Sequence, residues 1–256
     1  MMIDTNYDPL RFSTIAHRNH RYLSPLSRQK ADELVLSLAS TLSADDVVLD
    51  AGCGKAALLR DVLRMSPALG VGVDINQRFL DEARAEFLRE LPDDPRLNLI
   101  NAPLLDHPRP DGGYAAILCI GSTHAFGSFE ECLRVSANWL KPNGLLLVAE
   151  GFWKQPPSQD YLDVLGGTTD EFVSHAQNSE RARASGFNVL RTATSSDDEW
   201  DEYEGRYCAA MMQYLATHPD DPEAKAFTTR MQTWHSAYLK WGRSTLGFGY
   251  YLLLKP

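Results

Sequence analysis

Short apolar runs alternate with helical patterns through the middle of this chain, and that alternation most restricts its fold. The runs fall at 47–50, 71–74, 97–100, 114–120 and 145–149. Between them, 56–65 and 79–91 repeat apolar residues at helical spacing, the second stopped by Pro92. Ser128 and Glu131 open a further helix as a capping box, and "KPNG" closes it. A strand apolar at nearly every position is covered on both faces, and such strands separated by helices specify an α/β fold with a parallel sheet.

Residues 1–23 read as irregular, and Ser24-Pro25 reads as the start of the first helix, with Ser as N-cap. After the fifth run the pattern changes: a strand at 187–194, helices over 197–217 and 222–245, and a closing strand at 248–254. No linker rich in Gly, Ser or Pro intervenes, so the chain reads as one domain. Its parts are an N-terminal lid with the first helix (1–43), a core (44–153), and C-terminal strands (154–256) carrying a helical cap at 197–246.

The first apolar run ends in an acid and a glycine turn, "VVLDAGCGKAAL". Gly52 and Gly54 let the backbone bend sharply and approach a ligand, the general nucleotide-binding device of doubly wound folds. Asp50 discriminates among ligands, because a carboxylate at the strand end repels a pyrophosphate and suits a cation. S-adenosylmethionine has no phosphate and presents an ammonium and a sulfonium. Asp74 lies 20 residues after Gly54 at the tip of the second strand, where a carboxylate can accept both hydrogen bonds of a ribose diol.

"VLDAGCGKAALL", "GVGVDINQRFLDEAR", "YAAILCIGSTHAFG" and "LKPNGLLLVAEGFW", in this order and spacing, resemble the successive motifs of the class I S-adenosylmethionine-dependent methyltransferases. The resemblance covers about 44–153. "HRNHRYLSPLS" and "SSDDEWDEYE" also resemble a bacterial subgroup acting on small molecules. It implies a Rossmann-like seven-stranded sheet whose last strand runs antiparallel. It also implies that Asp50, Gly52, Cys53 and Gly54 hold the methionine half of the cofactor, Asp74 the ribose and Ile75 the adenine. Ile120 and Gly121 would lie beneath the cofactor facing the substrate. Pro103 stands where many relatives carry an acid for the adenine amine, so a backbone carbonyl or Asp106 would take that contact.

Methyl transfer from a sulfonium needs alignment and exclusion of water, and a general base only when the nucleophile arrives protonated. Candidates come from the C-terminal edge of the sheet. His124, after the fourth strand, and Glu150, ending the fifth, are the candidate acid–base residues, and Trp153 a candidate wall. His17, His20 and Arg21 belong to the lid, where Arg21 could meet the methionine carboxylate. In the cap, Trp200, Tyr203 and Trp241 could offer an aromatic face and Glu199 or Glu204 a carboxylate, a combination suited to an amine acceptor. The plainer alternative for this aromatic stripe is packing, with the acids of "SSDDEWDEYE" capping a helix.

Net charge is −9, which disfavours nucleic acid and anionic lipid as partners. The exception is 11–30, with five basic residues and no acid. The four cysteines lack metal-ligand spacing, and no HExxH or acidic cluster suggests a metal. With no run of 18 apolar residues and no secretory apolar core, the chain reads as cytoplasmic and free of membranes. The sequence leaves oligomeric state and the identity of the acceptor open. It also leaves two alternatives open: a nicotinamide-dependent oxidoreductase, and a non-catalytic relative acting through a partner.

Overall fold

A computed structural model describes residues 8–256; the reading of 1–7 as irregular lies outside the described residues. Seven strands form one sheet: β1 (Val47–Ala51), β2 (Leu69–Asp74), β3 (Leu97–Asn101), β4 (Tyr114–Ile120), β5 (Leu140–Trp153), β6 (Asn188–Thr194) and β7 (Leu246–Leu254). Their order is β3-β2-β1-β4-β5-β7-β6. β1 to β5 pair in parallel, while β7 runs antiparallel to both β5 and β6. The order reverses between β1 and β4, so ligands are expected beyond the C-terminal ends of those two strands.

Among the described residues nine α-helices surround the sheet: α1 (Arg11–Ala16), α2 (Arg28–Ala39), α3 (Ala57–Met65), α4 (Gln77–Glu90), α5 (Phe129–Trp139), α6 (Gln159–Leu165), α7 (His175–Ala184), α8 (Asp197–Thr217) and α9 (Pro222–Ala237). A short α-helical turn, Arg243–Thr245, follows α9 through the wider helical stretch Tyr238–Gly242. One core joins Leu34, Leu38, Leu59 and Val62 to Val48, Leu118 and Leu147. The other joins Phe129, Leu133, Ala182 and Phe187 to Leu49, Ile117 and Val148. Cys119 and Cys132 are buried as core thiols. Among the described helices none is long and apolar enough to cross a membrane.

Five expectations change. Residues 11–16, read as irregular, form α1, held by Ala16 against Met211 and Met231. α2 starts at Ser27, whose side chain accepts from Lys30 N–H, and not at Ser24. The Pro25 carbonyl instead accepts hydrogen bonds from Ser195 and Tyr250, which ties this segment to the sheet. Ser128 caps α5 by accepting from Glu131 N–H, without the reciprocal bond of a capping box. β5 extends through "KPNG" at one end, where Leu140 pairs with Tyr114 of β4 across a bulge, and to Trp153 at the other, where β7 pairs with it as far as Leu246. The helix expected over 222–245 is α-helical only to Ala237 and then widens where Gly242 meets the Tyr161 hydroxyl.

Candidate functional site

The loop after β1 shows why glycine is required there. Gly52 has φ +68°, and a Cβ on it would lie 2.5 Å from Ser122 Cβ. Gly54 has φ +52°, and a Cβ would lie 2.5 Å from Leu23 Cδ1. Gly52 and Cys53 both donate their N–H to the Val73 carbonyl, so the loop is tied to β2. Gly54 N–H donates to Asp74 Oδ2 at 2.8 Å and Asn76 N–H to Asp74 Oδ1 at 2.8 Å. Each carboxylate oxygen keeps a lone pair for a further donor.

Asp50 is 5% exposed at the end of β1. Burial pushes its carboxyl up to about 8, with the charge of Asp74 adding to the effect. No salt bridge to it exists among the described residues. A buried carboxylate with no cation beside it is costly in the ionised form, and a cationic ligand would reverse that cost. Ile75 is 59% exposed just after β2, an apolar side chain available to a flat ring. Pro103 precedes a short 3₁₀ turn, Leu104–Asp106, and Asp106 is exposed there.

Ile120 joins Asp50, Gly52, Cys53 and Gly54 around a space of only 40 Å³ under the lid residues Arg21 to Ser24. Gly121 turns outward with φ +69° and lines a second cavity of 480 Å³, together with His124, Glu150, Trp200 and Phe248. Glu150 Oε1 accepts from Gly151 N–H at 2.8 Å, and its other oxygen accepts from the Thr123 hydroxyl. Burial raises the Glu150 pKa, partly offset by those two donors and by nearby His124. His124 itself is exposed.

The lid is held from beneath. Arg21 donates to Asp61 at 2.7 Å and to Glu90 at 3.2 Å, so the guanidinium expected at the methionine carboxylate is already paired. Arg21 nevertheless lines the small space over the loop. His20 does not: its Nε2 donates to the Tyr203 carbonyl of α8 at 2.9 Å, and its ring packs on the Tyr203 ring. His17, mostly buried, has its pKa lowered to about 3 by burial first and by the neighbouring His20 and Lys55.

The cap forms a third cavity of 740 Å³, lined by His17, Trp200, Tyr203, Glu204, Phe227 and Trp234 among others. Trp200 also lines the Glu150 cavity, so the two share a wall. Two expected wall residues stand elsewhere. Trp241 packs against Tyr161 under the Lys240 ammonium and lines neither cavity. Trp153 is 9% exposed, packs edge-on to Phe172 and donates to the Thr169 carbonyl. Glu199 is fully engaged by Lys30, Ser27 N–H and the N-terminal cap of α8. Glu204 is the carboxylate that reaches the cavity; its signal in the sequence is an acid one turn after Trp200, inside the aromatic stripe. Among the described residues no cluster of side chains could hold a metal ion.

Comparison with known proteins follows the same geometry. A family model described as a methyltransferase domain matches residues 48–144, from β1 to the start of β5. The chain is 24% identical over 252 residues to the uncharacterized protein YjhP of Escherichia coli (strain K12), covering 95% of this chain and 98% of that one. Its fold matches the crystal structure of a SAM-dependent methyltransferase from Geobacter sulfurreducens in complex with S-adenosyl-L-homocysteine. That match has TM-score 0.87 and 26% identity, over 96% of this chain and 98% of the other. A SAM-dependent methyltransferase from Thiobacillus denitrificans, also in complex with S-adenosyl-L-homocysteine, has the same fold. It gives TM-score 0.87 and 24% identity, over 98% of this chain and 100% of that one.

Proposed function

We propose that the chain is a class I S-adenosylmethionine-dependent methyltransferase and that its methyl acceptor is a small molecule. The observation that carries the cofactor assignment is Asp50, a buried carboxylate without a cationic partner beside a glycine loop. A dinucleotide pyrophosphate would keep that carboxyl protonated and gain no charge pairing from it, whereas a cation ionises it and pairs with it, which argues against a nicotinamide enzyme. The residues fit the cofactor by three features: the glycine cradle, Asp50 for a cationic group, and Asp74 with lone pairs for a ribose diol. Exposed Ile75 would cover the adenine. When bound, S-adenosylmethionine supplies a methyl group on a sulfonium, activated for in-line displacement by the acceptor.

The chain's own residues then bind, shield and move protons. Leu23 lies against Gly54, and the space over the loop is 40 Å³, so the lid opens to admit the cofactor and closes over it. Trp200 and Phe248 wall the 480 Å³ cavity at the β4 and β5 ends and exclude water from the acceptor. Glu150, its pKa raised by burial, accepts the proton of a protonated nucleophile, and exposed His124 lines the same cavity. Cavities of 480 and 740 Å³ suit small acceptors, and the net charge of −9 does not suit nucleic acid.

Calorimetric titration with S-adenosylmethionine, S-adenosylhomocysteine and NAD, beside an Asp74→Ala variant, tests the assignment. Micromolar binding of the first two, weakened at least tenfold by the substitution, is expected. Binding of NAD alone would overturn it. Turnover of any small acceptor separates an enzyme from a non-catalytic cofactor-binding protein.

A further inference from the structure

The cap cavity carries chemistry that the cofactor site does not use. Glu204 is 4% exposed and lines the cavity beside the aromatic rings of Trp200, Tyr203, Tyr207, Phe227 and Trp234. The only hydrogen bond it accepts among the described residues comes from Trp234 Nε1, at 3.3 Å. No arginine or lysine pairs with it among the described residues. The cation nearest to hand, Arg230, also lines the cavity, but its guanidinium lies over the Phe227 ring, 5.3 Å from the centroid. Two further polar atoms in the lining, His17 Nδ1 and Trp200 Nε1, are buried with no hydrogen-bond partner.

A buried carboxylate facing aromatic rings and lacking its own cation is an incomplete ion pair. Aromatic faces attract cations as well, most strongly when water is excluded. A protonated amine satisfies both, since it supplies N–H donors to Glu204 and positive charge to the rings. A carboxylate ligand would meet like charge, and a neutral alcohol would leave Glu204 uncompensated.

We infer that the methyl acceptor is an organic amine that reaches from the Glu150 cavity into the cap cavity, where its ammonium is anchored on Glu204 against Trp200, Tyr203 and Trp234. The inference rests on the methyltransferase reading, through the wall that Trp200 gives to both the cap cavity and the Glu150 cavity. Burial pushes the Glu204 carboxyl up to about 7, and the bound ammonium restores its ionised form.

The test uses the full chain saturated with S-adenosylhomocysteine. It is titrated in a calorimeter with tryptamine, with the neutral alcohol tryptophol and with indole-propionate. Tryptamine is expected to bind at least tenfold more tightly than the other two, and Glu204→Gln to erase that preference while leaving S-adenosylhomocysteine affinity unchanged. Equal binding of the three, or no binding of tryptamine by protein that holds S-adenosylhomocysteine, overturns the inference and leaves the methyltransferase reading intact. An undiminished preference in Glu204→Gln overturns it as well. If the variant fails to fold, the preference of the wild-type protein among the three ligands decides the matter. Failure to bind S-adenosylhomocysteine would count against the methyltransferase reading itself.

Discussion

Asp50 and Asp74 close neighbouring parallel strands, and the charge of Asp74 adds to burial in raising the Asp50 carboxyl from its ordinary 3.8 to about 8. Two carboxylates side by side with no cation between them form half of a binding site. The missing half is positive charge from the ligand.

That arrangement sets a pH dependence. A carboxyl whose folded-state pKa lies above its unfolded value favours the folded state most at low pH. This contribution is lost as pH rises through the folded value, here from 3.8 to about 8. The ligand-free protein should therefore melt at a lower temperature across that window than Asp50→Asn does, the gap widening with pH. Binding of S-adenosylmethionine near neutrality should release a proton, read by calorimetry in buffers of different ionisation enthalpy. Affinity should fall by up to about tenfold per pH unit below 8. Binding without proton release would remove Asp50 from the cationic contact.

Gly52→Ala should abolish cofactor binding and cost about 1–3 kcal/mol of stability. The new Cβ would lie 2.5 Å from Ser122 Cβ, on a backbone at φ +68°. Adding Ser122→Gly removes the collision but not the strain, so the double variant should recover part of the loss. Thermal melts and S-adenosylhomocysteine titrations of the three proteins check this. A double variant no better than Gly52→Ala would show that backbone strain alone decides.

The lid should come loose when Asp61 is removed. Asp61 is fully buried and accepts from Tyr22 and Arg21, each at 2.7 Å, with Arg64 at 3.0 Å. Breaking a buried charge network of this kind costs about 3–5 kcal/mol. Asp61→Ala should lower the melting temperature and raise amide hydrogen exchange over residues 11–27 before any other segment. Tyr22→Phe, which deletes one hydrogen bond, should cost about 1 kcal/mol. Uniform exchange throughout the molecule would show that Asp61 supports the whole fold and not the lid in particular.

Much of the core was legible before any coordinates. β4 lies where its apolar run placed it, and α8 spans Asp197–Thr217 as its helical pattern predicted, with Ser196 and Glu199 forming a capping box at its start. These are local signals, carried by side-chain period and by caps within a few residues. Two helices were missed although signals existed: Ser158 caps α6, and Ser174 with Gln177 forms a capping box on α7. α1 gave no such signal. It has six residues, too few to be stable alone, and is held by Ala16 against Met211 and Met231.

The sequence by itself determined the alternation of strands and helices, the glycine loop and the acids at the ends of β1 and β2. Those depend on neighbours along the chain. Only the tertiary structure decided which distant side chains share a space. It paired Arg21 with Asp61, turned His20 toward Tyr203, and engaged Glu199 with Lys30. It moved Trp153 and Trp241 into packing and left Glu204 facing a cavity. An acid on an aromatic helix face has the same local propensity whether it meets a lysine or an open pocket. The partner comes from elements far away in the chain, and among the described residues no cation pairs with Glu204.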